Sequence, residues 1–111
     1  LGLDSKVKFL GNRSDVNELY QAMDVFVMPS FFEGVPVVGI EAQFSDLPCI
    51  FSDRVPKEVK FNSKTQFVKL EATLDEWVKS IERTKNIERN SKAKDLILKW
   101  HIRYWKIIIW I

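Results

Sequence analysis

Two short apolar runs constrain this chain more than any other feature. They are Val25-Phe26-Val27-Met28, closed by Pro29-Ser30, and Cys49-Ile50-Phe51-Ser52, which follows Leu47-Pro48. A strand with one wetted face alternates apolar and polar residues. A short unbroken run of β-prone residues reads instead as a strand buried on both faces, the situation in a parallel sheet covered by helices. The segment between the runs carries Pro36, which suits the first turn of a helix because its missing N–H would have no intrahelical partner there. That helix is predicted to run to about Phe44, with Gly39 as its weak point.

The rest of the chain extends the same alternation. Val7-Lys8-Phe9-Leu10 alternates and ends at Gly11-Asn12, a short strand and turn. Val16, Leu19, Tyr20 and Met23 share one face of a short amphipathic helix, with Ser14 and Asp15 as candidate N-caps. Asp15 with Glu18 resembles a capping box. Asp53 to Lys64 is polar and loop-like, with a short turn at Pro56-Lys57-Glu58. Thr65 to Leu70 reads as an edge strand. Leu74, Trp77, Val78 and Ile81 follow helical spacing, with Thr73 as cap and Glu76 three residues on. From Glu88 the pattern is helical to about Leu98, and beyond Lys99 it loses a clean period. Strands alternating with helices imply βαβ units, hence an α/β fold with a Rossmann-like parallel sheet flanked by helices. Ligands of such sheets bind outside the carboxyl ends of the strands. The loops after Leu10, Met28 and Ser52 are therefore the places for chemistry.

Composition sets the outer bounds. A length of 111 residues is enough for one domain, and 46% apolar with 13% aromatic residues is globular rather than disordered. A single cysteine excludes an internal disulfide framework and a zinc site built from paired cysteines, and fits a reducing compartment. No apolar run is long enough to span a bilayer as a helix. The start, Leu1-Gly2-Leu3-Asp4, lacks the pattern of a signal peptide and an initiator Met, and points to a piece of something longer. Charge is unevenly placed: residues 1–85 hold 11 Lys/Arg against 13 Asp/Glu, whereas residues 86–111 hold six against two. Three of the four Trp (Trp100, Trp105, Trp110) fall in the last twelve residues.

The loop after the first run, and the helix it leads into, hold Glu33, Gly34 and Glu41. Two glutamates at this separation mean little by themselves in a charged protein. Glu41, however, is flanked by Val37, Val38, Ile40, Ala42 and Phe44, in a helix expected to be mostly buried. A carboxylate buried there would need a partner, and ribose hydroxyls would supply donors. Gly34 permits close backbone approach. The helix start offers free N–H groups and a positive dipole end for a diphosphate.

The string Ala22-Met23-Asp24-Val25-Phe26-Val27-Met28-Pro29-Ser30, then Glu33-Gly34, Glu41-Ala42 and Leu47-Pro48-Cys49-Ile50, resembles the C-terminal domain of group 1 glycosyltransferases. These are the retaining, metal-independent enzymes of the GT-B fold. The resemblance covers about residues 1–85, and the form Glu-Gly-x-Pro-Val-Val is similar to members that build bacterial capsular, exopolysaccharide or lipopolysaccharide glycans. It implies that this chain is part of a donor domain, entered after its first strands. It implies that Glu41 binds the ribose hydroxyls of a nucleotide-diphosphate sugar, such as a UDP- or GDP-sugar, and that Glu33 contacts hydroxyls of the transferred sugar as the catalytic-site residue. Backbone amides near Gly34, Val35 and Val37 would face the diphosphate or sugar. Gly11, Asn12 and Arg13 would lie beside the nucleobase, although Arg13 reads equally well as a solvated surface arginine. No metal or other cofactor is implied. The acceptor would be a glycan or a lipid-linked saccharide, and the setting cytoplasmic or the cytoplasmic face of the inner membrane.

Two positions depart from the family pattern. Pro36 stands where the family often has Gly and cannot donate a backbone hydrogen bond. Asp46 stands where Gly usually precedes Leu-Pro, and tolerates a positive φ less well than Gly. The Arg and Lys that the family places on its first strands to neutralise the diphosphate have no counterpart in the matching string. His101 and Cys49 read as structural. Residues 86–111 read as a helical, basic, Trp-rich tail, atypical of the family after about residue 99. A solvated helix, a peripheral contact with anionic lipid and a shifted reading frame are three readings of that tail. Nucleic acid is the weakest partner, because the basic residues form no recognised module. The rival for the whole chain is a non-catalytic remnant, a nucleotide-binding or interaction module without activity.

Overall fold

A computed structural model of the chain describes residues 14–31, 37–88 and 107–109. The expected strand at Val7-Leu10, the loop Gly11-Asn12-Arg13, and Glu33, Gly34, Val35 and Pro36 lie outside the described residues. So do the helix expected beyond Glu88, His101 and the three C-terminal tryptophans.

The elements run α1 (Val16–Ala22), β1 (Val25–Met28), α2 (Val37–Phe44), β2 (Cys49–Ser52), a 3-10 turn (Lys57–Val59), β3 (Thr65–Val68), α3 (Leu74–Glu82), a second 3-10 turn (Arg83–Asn86) and β4 (Ile107–Ile109). The four strands form one sheet of order β3-β2-β1-β4, parallel at every pairing. This is the α/β architecture that the two apolar runs imply. Every residue of β1 and of β2 is buried, as unbroken runs require in a covered parallel sheet. β3 is an edge strand on the described sheet, with only Thr65 fully buried.

The period-two alternation of the strands builds two cores. On one face Phe26, Met28, Cys49 and Phe51 pack with Tyr20 of α1 and Ala42 of α2, joined by Leu47, Val55 and Val59. Tyr20–Phe26 and Phe26–Phe51 meet edge to face, with ring centroids 6.0 and 6.3 Å apart, the arrangement that aromatic quadrupoles favour. On the other face Val25, Val27 and Ile50 pack against Trp77 and Ile81 of α3. The sheet is thus covered on both sides, by α1 and α2 together and by α3 opposite.

Two local expectations change. Asp15 is the N-cap of α1, but its side chain makes no capping hydrogen bond, so the capping-box reading with Glu18 does not hold. Thr73 does cap α3, accepting from the Glu76 N–H at 3.2 Å. Residues 107–109 are extended and pair with β1, so the helical reading of the tail fails there. Three consecutive isoleucines are β-branched, which suits a strand better than a helix. Asp46 does adopt a positive φ, of 59°, in the turn that ends α2. Its carboxylate is held by Lys64 Nζ at 2.5 Å.

Candidate functional site

The carboxyl ends of β1, β2 and β3 lie on one edge of the parallel sheet. α2 follows β1 and returns antiparallel to it, so its N-terminus opens onto that same edge. Strand order reverses between β1 and β4, and such a switch point is where doubly wound sheets bind ligands. The first N–H groups of an eight-residue helix have no intrahelical acceptor, and the dipole there is positive. Val37 begins α2 and is exposed.

Glu41 lies one turn further along the helix. It is exposed, and only Gly39, Ala42 and Gln43 of α2 are buried. The expectation of a mostly buried helix, with a carboxylate that must find a partner, is therefore corrected: Glu41 is exposed and water can solvate it. The helix is apolar in sequence because it also displays Val37 and Phe44 to solvent. Glu41 nevertheless acts on the core behind it. The Tyr20 hydroxyl is pushed up to about 12, first by burial and then by the negative charge of Glu41, with Cys49 contributing less.

The loops at the strand ends are tied to one another. Ser52 Oγ donates to the Ser30 carbonyl at 2.5 Å and accepts from the Arg54 N–H at 3.3 Å. Asp53 N–H donates to the Val68 carbonyl at 2.9 Å, and Asp53 Oδ1 accepts from the Leu70 N–H at 3.0 Å. Arg54 pairs with Glu71 through its guanidinium and lies 5.7 Å over the ring of Phe31, a cation–π distance. The Arg54 hydrogen bond holds the Glu71 carboxyl below its ordinary value, and Glu71 in turn raises Arg54. Phe31, 76% exposed, thus has a cation over its ring at the carboxyl edge of the sheet. The motif string left Arg54, Phe31, Ser52 and Glu71 unassigned. Their position after Met28, Ser52 and Val68 was the available signal.

A separate polar node fixes α2 from below. Gln43 is 3% exposed. Its Nε2 donates to the Val59 carbonyl at 2.8 Å, and its Oε1 accepts from the Phe61 N–H at 3.1 Å and from Thr65 Oγ1 at 3.0 Å. One side chain two residues from Glu41 therefore binds the helix to the segment entering β3. Sequence reasoning did not single it out, because a glutamine among apolar neighbours carries no signature of what lies opposite.

Of the residues singled out from sequence, the structure describes Glu41 and Val37 and puts both on α2. Glu33, Gly34, Val35, Gly11, Asn12 and Arg13 lie outside the described residues. Among the described residues no helix is long and apolar enough to cross a membrane.

Comparison with known proteins follows the same boundaries. Over 55 residues, half of this chain and 14% of the relative, the sequence is 54% identical to EpsF of Bacillus subtilis (strain 168), a glycosyltransferase by name. Over 53 residues, 48% of this chain and 14% of the relative, it is 43% identical to the UDP-Gal:alpha-D-GlcNAc-diphosphoundecaprenol alpha-1,3-galactosyltransferase of Escherichia coli. Over 47 residues, 42% of this chain and 12% of the relative, it is 47% identical to the N,N'-diacetylbacillosaminyl-diphospho-undecaprenol alpha-1,3-N-acetylgalactosaminyltransferase of Campylobacter jejuni. The matched stretch is thus about one seventh of each relative's length. No solved structure matches the chain. The family model described as glycosyl transferases group 1 covers residues 1–86, from before α1 to the end of the second 3-10 turn. This chain, a parallel sheet with the start of α2 at its carboxyl edge and the family pattern over more than three quarters of its length, belongs to the group 1 glycosyltransferase family.

Proposed function

We propose that this chain supplies part of the donor site of a retaining glycosyltransferase. The reaction would move a sugar from a nucleotide-diphosphate sugar to a glycan or lipid-linked acceptor in bacterial surface polysaccharide biosynthesis. The carrying observation is the family match over residues 1–86, with Glu41 exposed on the helix that starts at the carboxyl edge of the sheet. Two of the relatives are named for diphosphoundecaprenol-linked saccharides, which supports a lipid-linked acceptor and work at the cytoplasmic face of a membrane. Glu41 would accept hydrogen bonds from the ribose hydroxyls. The amides at the start of α2, Val37 included, would face the diphosphate, with Gly34 and Val35 preceding them. Glu33 would contact the transferred sugar, and Gly11, Asn12 and Arg13 would flank the base. The reading calls for no metal or further cofactor: the N–H groups at the helix start would help stabilise the departing nucleotide diphosphate.

Calorimetric titration of the 111-residue chain with UDP and GDP tests this reading. Glu41→Ala should weaken binding of the preferred nucleotide about 10- to 100-fold, the value of hydrogen bonds to a charged acceptor. The 2′,3′-dideoxynucleotide, which lacks both ribose hydroxyls, should bind the wild type and the variant alike. Equal binding of the ribonucleotide by both proteins refutes the ribose role. A second reading, a nucleotide-binding module without turnover, is favoured by the small share of each relative that the chain matches. Nucleotide binding without sugar release from a UDP- or GDP-sugar supports that reading over catalysis by this chain.

A further inference from the structure

The end of β2 grips the residues that follow β1. Ser52 closes β2, is fully buried, and donates its hydroxyl to the Ser30 carbonyl. Arg54, two residues on, lies over the ring of Phe31. The guanidinium is held in turn by Glu71, which follows β3, and its Nε lies 3.9 Å from Asp53 Oδ1. Asp53 is itself tied to the end of β3, through the Val68 carbonyl and the Leu70 N–H. The Arg54 backbone sits between Ser52 and Val55, which are 0% and 1% exposed. Ser30–Phe31 is therefore held twice, once at a carbonyl and once at a ring, by residues that β3 keeps in place.

Folding stability does not account for the Arg54 arrangement. The Arg54 and Glu71 side chains are 46% and 63% exposed, and exposed ion pairs and cation–π contacts contribute little to stability. A long, rotamer-rich side chain is nonetheless fixed at its root and at its tip, against its conformational entropy. Such fixing matters where the placement of a neighbouring group decides binding or chemistry. Phe31 precedes Glu33 by two residues and the start of α2 by six. Resting on the donor-site reading above, we propose that Arg54 is a positioning residue of the donor site. Stacked on Phe31 and anchored by Glu71, it fixes the path on which the chain leaves β1 and so sets Glu33 for the transferred sugar. Its effect passes through Phe31 and not through contact with the nucleotide.

Calorimetric titration of the 111-residue chain with UDP, GDP, UDP-galactose, UDP-N-acetylglucosamine and GDP-mannose separates recognition of the sugar from that of the nucleotide. Arg54→Gln should weaken the preferred sugar nucleotide about tenfold and leave the bare nucleotide within about twofold. A merely structural role would shift both alike. Phe31→Leu should cause the same selective loss, and the double variant should lose no more than either single one. In a Glu33→Ala background Arg54→Gln should have no further effect, because the group it positions is gone. Equal shifts for nucleotide and sugar nucleotide, or no shift in either, overturn the proposal. So do additive losses in the Arg54–Phe31 pair, and an Arg54 effect that survives Glu33→Ala, since Arg54 then acts by another route. Nucleotide binding that Glu41→Ala abolishes but Arg54→Gln leaves intact for every sugar nucleotide removes the positioning role and keeps the donor site. A wild-type chain that binds no nucleotide refutes the donor-site reading and the positioning role with it, and one that binds nucleotides but none of the sugar nucleotides refutes the positioning role.

Discussion

Replacing Gln43 with Ala tests how α2 is held. The side chain is buried and, besides a long hydrogen bond to the Gly39 carbonyl within its own helix, serves three groups outside it: the Val59 carbonyl, the Phe61 N–H and the Thr65 hydroxyl. The Thr65 hydroxyl has a second acceptor, Asn62 Oδ1 at 3.1 Å, and can keep a hydrogen bond after truncation. The Val59 carbonyl and the Phe61 N–H each lose the Gln43 partner. A buried group left unsatisfied costs about 1–3 kcal/mol, and Phe61 lies close enough to solvent to recover part of that. The expected loss is therefore about 2–4 kcal/mol, measured by urea denaturation followed by far-UV circular dichroism, with an unchanged m-value. Gln43→Glu separates the donor from the acceptors. It preserves an oxygen for Phe61 and Thr65 but turns a carboxylate oxygen towards the Val59 carbonyl. Folding then favours the protonated acid, so the folded-state pKa of the introduced carboxyl is raised. The missing stability should return as pH falls and be lost again as pH rises through that pKa. A loss below about 1 kcal/mol for Gln43→Ala would refute the claim that this node fixes the helix.

Three further outcomes follow from the geometry. Asp46→Gly and Asp46→Ala both remove the Lys64 pair, but only Gly fits φ 59° without a Cβ clash; Gly should be the more stable by about 1 kcal/mol, and equal melting temperatures would contradict the left-handed turn. Tyr20, raised to about 12, contributes stability that is complete below its ordinary value of 10.0 and is lost as pH rises through about 12. Between those limits the wild type should lose up to about 1.4 kcal/mol per pH unit relative to Tyr20→Phe, and parallel pH profiles would show that the phenol is not buried as described. Ser52→Ala removes the donor to the Ser30 carbonyl and the acceptor for the Arg54 N–H, and should lower stability by about 1 kcal/mol while speeding amide exchange at Arg54; unchanged exchange there would show that Ser52 does not tie the two loops.

The local rules of sequence reached far in this chain. Unbroken runs at Val25–Met28 and Cys49–Ser52 announced strands buried on both faces, because a two-residue period leaves no polar side in such a run. Thr73 announced the start of α3, because a cap acts within one turn of backbone. The motif from Ala22 to Ile50 was enough to name the family and to point to Glu41 on the helix after β1. What tertiary structure alone decided depends on neighbours distant in sequence. Glu41 reads as buried from its apolar flanks, yet it is exposed, because only Gly39, Ala42 and Gln43 of α2 face the sheet and the segment at Val59–Phe61. Arg54 and Phe31 come together because β1 and β2 end side by side, and no spacing rule reports that. The triplet Ile107–Ile109 lacks the alternation that marks a half-exposed strand, and its place beside β1 was set by an edge eighty residues upstream. Propensity, capping and periodicity act over a few residues and so are written in the sequence; burial, ion pairing and strand choice are properties of surfaces that exist only once the sheet has formed.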